Sequence, residues 1–243
     1  MNFKITLFLL FTFLPLTFVF AQGEIEDYSA INFTNEQTYG LELNSNGITL
    51  NYRYGKRING FNKRMIDINF TYLRHEKEKK REVINSIDRF SYGKANTCFL
   101  LQAGTGRQTE VFAKQDRGGI SVRYYYHYGA TLAILKPIYY DIDYGYGIIS
   151  EKFNSNHHYQ YVTGTSSFFK GIDEVQFLPG GYVSGGLIFE FSKQKETLSA
   201  LEVGTSFNAF PKPVEIMAII DNPQFVLTIF VAYRFGKIIF LNE

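Results

Sequence analysis

Apolar and polar residues alternate one by one through segment after segment of this chain. In "TYGLELN", Tyr39, Leu41 and Leu43 oppose Gly40, Glu42 and Asn44, and in "ITLNYRY", Ile48, Leu50, Tyr52 and Tyr54 oppose Thr49, Asn51 and Arg53. "MIDINFTYL" sets Ile66, Ile68, Phe70 and Tyr72 against Asp67, Asn69 and Thr71. "ISVRYYYHYG" sets Ile120, Val122, Tyr124, Tyr126 and Tyr128 against Ser121, Arg123, Tyr125 and His127. The pattern returns in "GLIFEF" and "ALEVGTSF", and in "QFVLTIFVAYRFG" with Phe225, Leu227, Ile229, Val231, Tyr233 and Phe235 on one side. A period of two is that of a β-strand with one apolar and one polar face. "CFLLQAGTG" alternates less clearly, but its length and flanks also read as a strand.

The polar faces carry charge at mid-strand: Glu42, Arg53, Asp67, Arg123, Glu190, Glu202 and Arg234, with His127 beside Arg123. In a soluble barrel or sandwich those positions would point into an apolar core or out to water. A core would make seven ionisable groups costly. A solvated face would carry lysines, yet none falls on these mid-strand positions; they gather at turns such as "GKRINGFNK" and "SKQKE". The pattern predicts an inverted barrel, apolar outside, with these residues as a lumen charge network. The rings of Tyr124, Tyr126, Tyr128, Tyr233 and Phe235 then fall on the lipid face, as interfacial aromatics.

Eight strands are predicted, near 38–44, 47–55, 64–74, 97–107, 119–134, 180–192, 198–208 and 224–236, with ten as the alternative count. Connections 56–63, 108–118 and 193–197 are short; those near 75–96, 135–179 and 209–223 are long, the tight "NSNG" turn excepted. Long loops at one end and short turns at the other are how up-and-down transmembrane barrels are built. Splitting the long strand at Gly129 would make nine and move the longest loop to the periplasmic side, so it is read as continuous. The expected organisation is a signal peptide over 1–21, a short periplasmic segment over 22–36, and the barrel over 37–243.

Composition sharpens this picture. The start has one cation, Lys4, then an apolar run ending Val19-Phe20-Ala21 before Gln22, the form of a cleavable secretory signal. Beyond it 24 basic and 23 acidic residues balance (25 less Lys4, and 23), which argues against nucleic acid as a partner. Cys98 is the sole cysteine, so there is no internal disulfide, thiolate cluster or redox pair. The most apolar later run, "VEIMAIIDNPQFVLTIFVAY", is cut by Asp221-Asn222-Pro223, too short for a spanning helix. Tyr and Phe make up 17 % of the chain, as expected of β-structure with rings at interfaces.

Candidate chemistry is sparse. His127 reads as a lumen residue bonded to a neighbouring carboxylate or tyrosine, and no Ser–His–acid set accompanies it. His157 and His158 in "NSNHHYQY" could approach Tyr159, Asp173 or Glu174, but a structural metal site needs about four ligands in a recognisable spacing. "RHEKEKKREVINSIDR" reads as a solvated charged loop. "GTGRQ" and "GGYVSGG" match no phosphate-binding loop and mark bends or close backbone approach. No catalytic residue, metal site or cofactor is expected, and the chain is not read as an enzyme.

The blocks "NSNGITLNYRYGKRI" and "YGKANTCFLLQAGTGRQTEVFAKQDRGGISVRYYYHYGATLAILKPIYYDI", with the ending "VAYRFGK", resemble small secreted β-barrel proteins of Bacteroidota over most of the mature chain. The resemblance implies the outer membrane of a Gram-negative bacterium and brings no catalytic motif. The expected role is structural or interaction-based, such as that of a subunit in a larger outer-membrane assembly. The expected partners are outer-membrane lipid and, through the extracellular loops, other envelope proteins. A small-solute channel and a soluble periplasmic lipocalin-like binding barrel are the alternative readings.

Overall fold

The alternating segments pair edge to edge until the sheet meets itself. A computed structural model of the chain describes residues 34–78, 80–82, 89–114, 118–153, 161–194 and 196–240. Eight strands build the wall: β1 (Thr34–Asn44), β2 (Gly47–Arg57), β3 (Asn62–Leu73), β6 (Asn96–Phe112), β7 (Ser121–Pro137), β11 (Gln176–Glu190), β12 (Thr197–Ala209) and β13 (Phe225–Phe240). The rest lie in the connections: β4 (Lys80–Glu82) pairs with β5 (Arg89–Ser91), and β8 (Tyr139–Asp143) lies between β9 (Ile148–Lys152) and β10 (Val162–Thr165). Each wall strand is antiparallel to the next, and β1 closes the barrel on β13, with Tyr39 opposite Phe235.

Register sets the barrel's width. From Tyr124 on β7 the pairing runs to Leu187, Val203, Val231 and Leu43, then Ile48, Tyr72 and Phe99, and returns to β7 at Ile134. The return is displaced by ten residues, 134 less 124, which is the shear of the barrel. Eight strands with that shear tilt by about 41° and enclose a backbone radius of about 8 Å. Side chains fill an interior that narrow.

The wall is apolar outside and polar within, the inverted pattern of a transmembrane barrel. Tyr39, Leu41 and Leu43 are exposed while Thr38 and Glu42 are buried, and Ile66, Ile68 and Phe70 are exposed while Asp67 and Asn69 are buried. Strand β7 runs unbroken through Gly129, so the count is eight. The strands reach beyond their expected bounds: β1 begins at Thr34, and β6 and β7 each span 17 residues. The weak alternation of "CFLLQAGTG" has a physical cause. Phe99 and Leu101 face outward, while Cys98 and Leu100 join an internal apolar cluster, so both faces are apolar there.

That cluster seals the loop end. Leu73, Cys98, Leu100, Ala133, Leu135 and Val226 meet Phe210, Val214, Ile216 and Met217 of the 210–224 connection, which folds back over the barrel. Backbone bonds fix it: Ala95 and Asn96 donate to the Ile216 carbonyl at 2.9 and 3.1 Å, and Ala218 donates to that of Gly93 at 2.9 Å. The expected loop 135–179 contains the small β8–β10 sheet, packed through Tyr140, Ile142 and Val162 on Phe90 of β5. The 1–21 and 22–33 stretches, and His157, His158 and Tyr159, lie outside the described residues.

Two glycines of "GTGRQ" let the interior come up against the wall. A Cβ at Gly104 would lie 2.4 Å from the Tyr182 hydroxyl oxygen, and one at Gly106 would lie 1.9 Å from the Tyr126 carbonyl oxygen. Val231 lies at mid-strand on the lipid face. We expect Val231→Arg to destabilise the barrel folded into lipid vesicles by about 2–4 kcal/mol, the cost of a cation at the bilayer midplane. A urea titration of folding into vesicles reads this; an unchanged midpoint would mean that this face does not meet hydrocarbon.

Candidate functional site: the lumen and its cap

Glu42, Arg53, Asp67, Arg123, His127, Glu190, Glu202 and Arg234 all project inward from the wall and are buried. They form two linked groups and a remainder. Towards the short turns, the Glu36 carboxylate accepts from Lys63 and from Arg123 (Nη1, 3.1 Å), and Arg123 also donates to Glu190. Glu190 in turn accepts from Lys114 Nζ at 3.0 Å and from the Ser192 hydroxyl at 3.0 Å.

Higher in the barrel, Glu202 has no solvent exposure and takes both guanidinium groups. Arg53 donates to its two oxygens at 3.1 and 3.2 Å, and Arg234 donates through Nε at 2.8 Å. Arg53 also lies over the Tyr125 ring, 4.7 Å from its centroid, and Arg234 Nη1 reaches Asn51 and Thr38. Amides continue the chain: Asn51 donates to Asn69, Asn69 to Asp67 (3.0 Å) and Gln102 (3.2 Å), and Gln102 to Asn208 (2.6 Å). Tyr182 donates its hydroxyl to Asp67 at 2.8 Å. Above this layer sits the apolar seal.

Most of this charge is met by charge and hydrogen bonds, as a dry interior requires, whereas Glu42 lies among them with no hydrogen bond or ion pair among the described residues. The cavity among Glu42, Asp67, Asn69, Gln102, His127 and Asn208 measures about 30 Å³. That is room for a water molecule or two.

His127 Nδ1 lies 3.5 Å from Arg53 Nη2 and 3.8 Å from Asp67 Oδ1, and its ring is 4.9 Å from that of Tyr125. Ser184 is its cross-strand neighbour and lines the same cavity. Among the described residues, no hydrogen bond joins Ser184 to the imidazole. Among the described residues, no group of three or more His, Cys, Asp or Glu could hold a metal. Glu174 accepts from Tyr139 at 3.0 Å and pairs with Lys152 at 2.6 Å.

The aromatic residues spread over the outer wall. Tyr233 and Phe235 join Tyr39, Tyr52 and Phe191 in a chain of ring contacts towards the short-turn end, with centroids 5.3–6.5 Å apart. Tyr124 and Tyr126 lie nearer that end than Tyr128, the eighth of the seventeen residues of β7 and hence at mid-strand. A second set, Phe70, Tyr72, Phe99, Phe207 and Phe225, packs nearer the loops.

Sequence reasoning missed Glu36 and Lys63. Glu36 falls in the stretch expected to be a periplasmic segment, and Lys63 falls in what was read as a turn. Lys63 is buried in β3, so inward-facing lysine does occur near the rim. Extending the alternation by two residues beyond each expected strand would have found both, since 36, 38, 40 and 42 share one face, as do 63, 65 and 67.

The sequence matches no protein-family model and no curated protein. The backbone is similar to solved structures of small barrels. Neisserial surface protein A is 14 % identical, with 86 % of this chain and 97 % of that one covered and a TM-score of 0.37. The N-terminal β-barrel domain of Pseudomonas aeruginosa OprF is 8 % identical, over 85 % of this chain and 98 % of that one, at 0.37. Ail, the attachment invasion locus protein of Yersinia pestis, is 9 % identical, over 86 % and 99 %, at 0.39.

Two outcomes are expected of this geometry. Glu202→Gln leaves two buried guanidinium groups without their carboxylate and lowers folding stability by about 3–5 kcal/mol. Replacing Arg53, Glu202 and Arg234 together by apolar residues of similar volume costs less than that single change; urea midpoints of the variants decide it. The second outcome concerns the cap, where Lys94 Nζ donates to both Glu78 oxygens at 2.9 Å. Burial alone would push the Glu78 carboxyl up, but the hydrogen bonds from Lys94 and Ser91 outweigh it and hold it below the usual carboxylate range. A depressed carboxyl contributes stability above its unfolded value and loses it as pH falls through the folded value. Protection factors of the amides around 92–95, corrected for the intrinsic exchange rate at each pH, should therefore fall on acidification through and below the carboxylate range, and Glu78→Gln should abolish that dependence.

Proposed function

We propose that this chain is a closed outer-membrane barrel of a Gram-negative bacterium, exported by its N-terminal signal, whose role is structural or interaction-based. The observation that carries the reading is the filled lumen: ion pairs, an amide chain and an apolar seal leave a cavity of about 30 Å³. Placement in the outer membrane is supported by the exposed apolar wall, and kinship with small Bacteroidota barrels by the sequence blocks that resemble them.

The interaction role is supported by the cap. Tyr146 (80 % exposed), Phe169 (74 %) and Ile148 (65 %) stand on or beside the β8–β10 sheet, beyond the loop ends of the wall strands. Large apolar side chains exposed beyond the wall are the material of a protein-binding face. The proposed partner is another envelope protein, and the barrel its anchor.

Planar-bilayer recording on the reconstituted protein should show no steady conductance; ion-conducting steps would replace this reading with that of a small-solute channel. Tyr146→Ser, Ile148→Ser and Phe169→Ser together should leave the barrel folded and remove the stoichiometric partners that co-purify with the native protein in mild detergent. Retention of the same partners by the variant would count against the interaction face. Recovery of the native protein in the soluble fraction would overturn the membrane placement.

A further inference from the structure

One row of the outer wall breaks the apolar pattern. Lys56, Arg64 and Arg107 face outward on β2, β3 and β6, and register sets them side by side: Lys56 opposite Arg64, Arg64 opposite Arg107, and Arg107 opposite Tyr126. All three cations are exposed. Like charges directly opposite one another destabilise a sheet unless something neutralises them. No protein group does so among the described residues. The outward neighbours two positions away on the same strands are Tyr54, Ile58, Asn62, Ile66, Thr105 and Thr109, none of them acidic. Of the acids towards this end, Glu36 and Glu190 point into the lumen and are already paired there, and Glu110 of β6 lies opposite the inward-facing Arg123.

The row also has a defined height. It lies in the short-turn half of each strand, and Tyr54, Ile66 and Tyr128 begin the apolar belt above it. Tilted strands carry each step of the row towards the belt, so Arg107 sits higher than Lys56 by about 6 Å. A cation there is shielded from bulk water on the lipid side, and a lipid phosphate is the counter-charge within its reach.

We infer that Lys56, Arg64 and Arg107 form a binding site for the headgroup of an anionic phospholipid in the leaflet at the short-turn end, with its acyl chains lying along Tyr54, Ile66 and Tyr128. The inference rests on the membrane placement proposed above. Three adjacent cations suit a phosphodiester better than a zwitterionic headgroup, whose own ammonium they would repel, and each surface cation adds to the attraction.

The test uses the full barrel reconstituted in phosphatidylcholine vesicles with spin-labelled phosphatidylglycerol or spin-labelled phosphatidylcholine as probes. The expected result is a preference for phosphatidylglycerol at the protein surface of about fivefold or more, the size of one cation–headgroup attraction, and weaker in high salt. In the Lys56→Gln, Arg64→Gln, Arg107→Gln variant the two probes should associate equally. The single Arg107→Gln variant should give an intermediate value, and a heat-induced gel shift confirms that each variant is folded. Equal association in the wild type, or an undiminished preference in the folded triple variant, overturns the inference while leaving the membrane placement intact. Displacement of the labelled lipid by free glycerol phosphate would overturn it in favour of a soluble phosphate site. Failure of the wild type to insert into vesicles at all would overturn the membrane placement itself, and this inference with it.

Discussion

Everything in this molecule follows from the seam between β1 and β13. Eleven residue pairs, from Thr34 opposite Phe240 to Asn44 opposite Phe230, join the first wall strand to the last. Without them two strands would present unpaired amides and carbonyls along an apolar surface, and hydrocarbon offers those groups no partner. Once the seam is closed, alternation does the rest. Each outward residue commits its neighbours to an interior only about 8 Å in backbone radius, where no bulk water can solvate them. The polar half of the pattern must therefore satisfy itself, and Glu202 held by Arg53 and Arg234 is the centre of that solution.

The layering of the lumen is a consequence rather than an ornament. Ion pairs occupy the short-turn end, guanidinium and amide groups the middle, and Leu100, Ala133, Leu135 and Val226 the loop end, where Phe210, Val214 and Ile216 descend on them. The apolar end requires a lid, since Leu100 and Leu135 would otherwise meet water. The loops around it are tied together: Ala218 of the lid donates to the Gly93 carbonyl at 2.9 Å, and the Tyr140 hydroxyl lies 2.8 Å from both the Ser91 and the Lys94 carbonyl oxygens, sharing its one proton between them. Filling and capping thus reinforce each other, and both work against passage of solutes.

Much of the fold was legible in the sequence because a strand's period is short and its faces here differ so sharply. The pattern at Ile66–Asp67–Ile68–Asn69–Phe70 admits one register and one orientation. Where the contrast fades, legibility fades with it. Strand β6 is apolar on both faces near Cys98 and Leu100, so alternation could not announce that the loop end of the lumen is dry. The strands run past their expected ends because Glu36, in the stretch expected to be periplasmic, and Lys63, in a turn-like run, pair with each other inside the barrel. The links between Asn69, Gln102 and Asn208 join residues on three strands, one of them more than a hundred positions away in sequence, and no local pattern encodes that.

Two exposed surfaces remain to be compared, and they do not ask for the same thing. The outward rings and aliphatic residues of the wall strands form a continuous belt, and lipid suffices to explain their exposure. The apolar residues of the cap lie outside that belt. Tyr144 and Tyr146 stack with ring centroids 5.8 Å apart at the tip of the β8–β9 turn, and Phe168 and Phe169 meet edge to face at 5.9 Å, while the core of the same sheet is already filled by Tyr140, Ile142 and Val162. These rings lie outside that core, although Lys136 Nζ stands over the Phe168 ring, 4.9 Å from its centroid. On the reading proposed above, a sheet that pairs Lys152 with Glu174 while presenting its largest apolar groups to solvent offers that face to another envelope protein.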